Sequence, residues 1–107
     1  MLKCQQPPKR RQPPVKVYPD GREVCRNTPA GKAEYRNRTL AMRTRQNNLC
    51  SWCGWFMAVE ETTFDHSEGR GFNGSHRDDR CEFNTAMHLL CNQKKASVRA
   101  SKLQEVA

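Results

Sequence analysis

Cys50 and Cys53 stand three positions apart, and His88 and Cys91 repeat that spacing with 34 residues between the pairs. No other feature constrains the fold of this chain as strongly. With 107 residues, 36% of them hydrophobic, and a mean hydropathy of -0.97, the chain is expected to hold one domain with a small core. A core of that size needs a supplement, either disulfides or a bound metal. The six cysteines leave both routes open.

No apolar run approaches the roughly 20 residues that cross a bilayer. The segment MLKCQQPPKRRQPP has no apolar stretch of the secretory type. A cytoplasmic setting is therefore expected, with no membrane partner. Disulfides are scarce in such reducing compartments, so spaced cysteines there read as metal ligands.

Charge is divided unevenly along the chain. Up to Asn48 there are 12 Lys and Arg against 3 Asp and Glu, and from Leu49 onward 7 against 8. The excess behind the net charge of +8 thus lies in the first half, where it could neutralise phosphates and release their counterions. A solubilising tail, or one that binds an acidic protein or membrane, would have the same composition.

Four segments are expected. Residues 1–27 are rich in proline, glutamine and cations without periodicity, and read as a disordered basic tail. Cys4 and Cys25 lie within it as incidental thiols, away from any partner at ligand spacing. Thr28-Pro29 reads as a helix start, and 28–48 as a basic helix lying across the domain surface or a polyanion. Residues 49–97 form a compact block: a C-x2-C knuckle, a strand through VEETTFDH, a glycine-rich loop, a second short strand at CEFN, and a helix over TAMHLLCNQKKAS. Trp52, Trp55 and Phe56 are expected to supply much of its core. Residues 98–107 extend that helix or form a tail.

Zinc favours four nitrogen or sulfur ligands in a tetrahedron. Cys50 and Cys53 offer one half, and His88 and Cys91 the other if they share one face of a helix. Cys81 is the competing fourth ligand. A redox role for Cys50 and Cys53 would call for an alternation of strands and helices that is missing.

Zinc leaves Asn92 unexplained. Successive helical residues point about 100° apart, so Asn92 would face away from Cys91, toward the strand end that carries Asp65 and His66. The succession of C-x2-C, DH closing a strand, an Asn, and then C-N-x2-K resembles the HNH endonucleases over roughly residues 49–97, most closely the small phage-encoded members. Where that family usually has a second C-x2-C, this chain has H-x2-C, and its glycine-rich loop is longer.

The resemblance implies a small α+β, zinc-stabilised ββα-metal domain that cuts nucleic acid, with DNA the expected partner. His66 would be the general base, Asn84 the residue that pins the loop and orients it, and Asp65 with Asn92 the ligands of a catalytic Mg(II) or Mn(II). An imidazole, ordinarily titrating near pH 6.5, suits the abstraction of a water proton. Carboxylate and amide oxygens suit hard divalent cations, separately from structural Zn(II). Arg70, Arg77 and Lys95 are candidates for clamping phosphate oxygens. His76 is an exposed residue or an additional ligand. Two other functions stay open: a zinc-stapled nucleic-acid binder without catalysis, and a protein adaptor docking through its prolines.

Overall fold

The computed structural model describes residues 12–67, 69 and 74–106, with side chains up to residue 98. Among these, two helices and two small antiparallel sheets make an α+β arrangement. The order is β1 (Val15–Val17), β2 (Glu23–Cys25), α1 (Pro29–Arg45), β3 (Thr62–Asp65), β4 (Thr85–His88) and α2 (Leu89–Val106). No helix is long and apolar enough to cross a membrane among the described residues.

The first sheet lies within the segment expected to be unstructured. β1 and β2 pair Val15 with Cys25 and Val17 with Glu23. Pro19-Asp20-Gly21 closes them: Gly21 donates its amide to the Tyr18 carbonyl at 2.9 Å, and its φ of +93° is one that glycine adopts without steric cost. Proline, aspartate and glycine in that order form a hairpin turn. Composition had concealed it, because the same prolines and cations that suggest a tail also surround a turn.

α1 begins where the hydroxyl of Thr28 accepts the Gly31 amide at 3.0 Å, with Pro29 at the first helical position, where a missing amide hydrogen costs nothing. It ends at Asn47 and Asn48, both left-handed, with φ of 58° and 64°. Asparagine is one of the few residues with a side chain that tolerates that conformation.

β3 and β4 pair in register from Thr62 with His88 to Asp65 with Thr85. Strand alternation sends Phe64 toward α1, where it stacks on Tyr35 at 4.9 Å. Thr63 goes to the opposite side, where it meets Asn92 of α2. The second strand is displaced by about four residues from the expected one. Cys81–Phe83 form a 3-10 turn, and Thr85–His88, expected to be helical, are strand, because Thr63 to Asp65 offer them a ladder that a helix would leave unpaired. Gln46 covers the other edge of β4, accepting the Ala86 amide at 2.7 Å and donating to its carbonyl at 2.9 Å.

The core consists of Met42, Cys50, Met57, Phe64, Ala86 and Met87, with Tyr35, Cys81 and Cys91 packed against it. Trp52, Trp55 and Phe56 do not contribute as expected; Trp55 is 76% exposed. The knuckle closes on itself through Cys50 N–H to Trp55 O and Gly54 N–H to Cys50 O. A turn that aims its sulfurs at His88 and Cys91 leaves its aromatic rings outside. Flexible methionines fill the space instead.

Candidate metal centre and the strand-end cluster

Four ligand atoms converge as expected, from Cys50, Cys53, His88 and Cys91, all within 4.8 Å of one another. The elements that carry them differ from the expectation: His88 closes β4 and Cys91 lies in the first turn of α2, so the two meet across a strand-to-helix junction. His88 turns Nδ1 to the Cys53 sulfur at 3.3 Å and the Cys91 sulfur at 3.8 Å. Its Nε2 points to the Phe56 carbonyl at 2.9 Å. That carbonyl fixes the tautomer that leaves Nδ1 as a ligand, the usual outer support of a metal-binding histidine.

The thiols also suit a metal. Burial raises the Cys50 thiol, but the backbone amides of Cys53, His88 and Trp52 aimed at its sulfur outweigh burial and pull it down to about 6. Burial and the neighbouring Cys53 and Cys50 sulfurs push Cys91 up to about 11. Burial disfavours the imidazolium of His88, yet the sulfurs and the Phe56 carbonyl raise it to about 9. Three sulfurs and one imidazole form a donor set that can hold a metal such as zinc.

Cys81, the competing ligand, lies elsewhere. Its thiol donates to the Arg38 carbonyl at 3.5 Å, and burial raises it. Exposed His76 lines a small cavity of about 240 Å³ with Arg22, Asp78 and Arg80, away from the sulfur cluster.

The second cluster surrounds the end of β3. Asn92 donates its amide nitrogen to the Thr63 hydroxyl at 3.1 Å and to the Phe64 carbonyl at 3.2 Å. It thereby clamps α2 to the residue next to Asp65, one position on from the Cys91 that faces the sulfurs. Buried Asp65 receives the Lys95 ammonium at 2.7 Å and the Thr85 hydroxyl at 3.4 Å. His66, 8% exposed, lies on the Phe64 side of the strand, its ring 4.5 Å from that of Phe64. Consecutive strand residues point to opposite faces, so Asp65 turns to α2 and His66 to α1.

Asn84 ties this region together. Its side-chain oxygen accepts the Ser67 amide at 3.2 Å, and its nitrogen donates to the carbonyls of Asp78 and Arg80 at 2.8 and 2.7 Å. The start and the end of the excursion between β3 and β4 are joined through one amide. Of the phosphate-clamp candidates, Arg77 forks onto Asp79, Lys95 is on Asp65, and Arg70 lies outside the described residues.

Sequence reasoning missed Asp79. It is fully buried, and its Oδ1 lies 2.6 Å from His66 Nε2. Burial alone would raise its pKa, but hydrogen bonds from His66, Arg77 and the Cys25 amide hold it well below the ordinary carboxylate range. The only trace in the sequence is the acidic doublet of HRDDR, which does not say which carboxylate turns inward.

Comparison of this chain with protein-family models, curated proteins and solved structures finds no match in any of the three.

Proposed function

We propose that this chain is a zinc-stabilised nuclease of the ββα-metal type, a divalent-cation-dependent endonuclease acting on DNA. The observation that carries the reading is the clamp of Asn92 onto the Phe64 carbonyl, which sets an amide side chain of α2 against the end of β3 on the side to which Asp65 turns, one residue before His66. The β3, β4, α2 succession and the Cys3His group at its base agree with it.

Hydrolysis of a phosphodiester needs a water deprotonated as it attacks phosphorus, relief of the charge that gathers on the phosphate oxygens, and departure of the 3′ oxygen. His66 takes the water proton; the new P–O bond forms as the bond to the 3′ oxygen breaks, and that oxygen is reprotonated from solvent. Asp65 and the Asn92 carbonyl would hold Mg(II) or Mn(II), which supplies charge neutralisation at the scissile phosphate. A donor set with one carboxylate suits Mg(II), which keeps several waters and binds substrate phosphate. Lys95, now on Asp65, carries a charge that a phosphate could claim. Asn84 acts by holding the loop next to His66.

The pairing of Asp65 with Lys95 and of His66 with Asp79 favours a second reading, a nucleic-acid binder whose polar groups are satisfied internally. Plasmid nicking in Mg(II), Mn(II) or EDTA separates the two. The native chain is expected to nick only with the cation, and His66→Ala, checked for retained zinc, to lose on the order of 10²–10⁴-fold, the usual worth of a general base. Nicking that survives in His66→Ala, or no nicking by the native chain, favours the binder.

A further inference from the structure

We propose that Asp79 is the positioning residue for His66, holding its imidazole in the Nε2–H tautomer. The inference rests on the nuclease reading for its consequence, but on geometry for its substance.

Both oxygens of the Asp79 carboxylate are in use. Oδ1 lies 2.6 Å from His66 Nε2 and accepts Arg77 Nε at 3.0 Å. Oδ2 accepts Arg77 Nη2 and the Cys25 amide, each at 2.8 Å. The backbone of the same residue is also held, by donation to the Glu23 carbonyl at 2.6 Å and by acceptance from Arg38 Nη1 at 3.0 Å. An ionised carboxylate can only accept, so the hydrogen between Asp79 and His66 belongs to Nε2. Phe64 and Tyr35 face the imidazole ring at 4.5 and 6.3 Å, which restricts its reorientation. The ring is thus fixed by aromatic neighbours and at one edge by a buried anion.

Through Cys25 and Glu23, Asp79 also anchors the β1–β2 hairpin. A purely structural tie would need nothing of the imidazole, and the two roles respond differently to an amide at position 79. Asn has one oxygen where Asp has two. At the Oδ2 place that oxygen keeps the Cys25 amide, a donor that cannot change. Its NH2 group then faces both His66 Nε2 and Arg77 Nε; the partly exposed guanidinium can turn aside, whereas the buried ring must become an acceptor, and the proton moves to Nδ1.

The test is long-range ¹H–¹⁵N correlation of the imidazoles in zinc-loaded, ¹⁵N-labelled full chain, about two pH units above the ordinary imidazole value, combined with plasmid nicking in Mg(II). The native chain is expected to show His66 as Nε2–H. Asp79→Asn is expected to show Nδ1–H and a fall in kcat on the order of 10²–10⁴-fold at unchanged KM. Glu23→Gln, which loosens the Arg38 ion pair of the hairpin without touching the ring, should leave both unchanged.

A native Nδ1–H tautomer, or an imidazolium persisting at that pH, overturns the proposal even if Asp79→Asn fails to fold. So does a folded Asp79→Asn that retains Nε2–H, or a Glu23→Gln that shifts the ring as Asp79→Asn does. A native Nε2–H tautomer in a chain that never nicks DNA removes the nuclease reading and leaves the orientation of His66 by Asp79 standing.

Discussion

A methyl group at position 31 would overlap the Arg26 carbonyl. Gly31, which weakens α1 by propensity, is therefore what lets the helix start close against the chain leaving the hairpin. Gly31→Ala should destabilise the fold by about 1–3 kcal/mol, as overpacking does, although alanine is the better helix former. Chemical denaturation would test this, and unchanged or greater stability would remove the argument. Asp79 makes a pH-dependent contribution. Its folded pKa is depressed, so its stabilisation is complete above the ordinary carboxylate value near 3.9 and fades as pH falls through and below it. The stability gap between the native chain and Asp79→Asn should narrow from pH 6 toward the most acid pH at which both remain folded. A gap constant over that range would mean that the carboxylate charge contributes nothing.

The cations of α1 act differently from what their number suggests. Arg36 donates to the carbonyls of Thr62 and Val59, Arg43 to Met57, and Arg45 to Cys81 and Asn84. These guanidinium groups pin the segments around β3 and β4 to the helix. Lysine cannot reproduce such a fork. Arg36→Lys should cost about 1 kcal/mol of stability with DNA affinity unchanged; weaker DNA binding at unchanged stability would make Arg36 a phosphate contact instead. Paired ligand spacing is a local signal, so the four residues of the Cys3His group were legible in the sequence. The helix start at Thr28-Pro29 and the strand ending in Asp65 were legible for the same reason. The displaced β4 was not, because Thr85–His88 could join either element and only the ladder with β3 decides. The outward rings of the knuckle were hidden too, since an aromatic residue beside a cysteine carries no sign of which way the turn will face. The hairpin was written plainly in Pro19-Asp20-Gly21 and was obscured by its surroundings.

At the scale of the molecule, a core cluster of six buried side chains among the described residues leaves much to the Cys3His group. If that group holds zinc, chelation should lower the unfolding midpoint sharply, and thiol titration should release Cys50, Cys53 and Cys91 together while Cys81 reacts independently of the metal. Three cysteines that titrate identically with and without chelator would exclude the site. If the basic half meets DNA, log affinity should fall linearly with log salt by about 0.9 per phosphate engaged; fluorescence anisotropy with a flat dependence would point to a protein partner. α2 follows β4 without an intervening residue, so His88, Cys91, Asn92 and Lys95 take their bearings from one junction. Adding or deleting a single residue just before Cys91 would swing everything downstream by about 100°, unseating a sulfur and an amide in the same stroke. Point changes can alter these two centres one at a time, but a change of length there cannot.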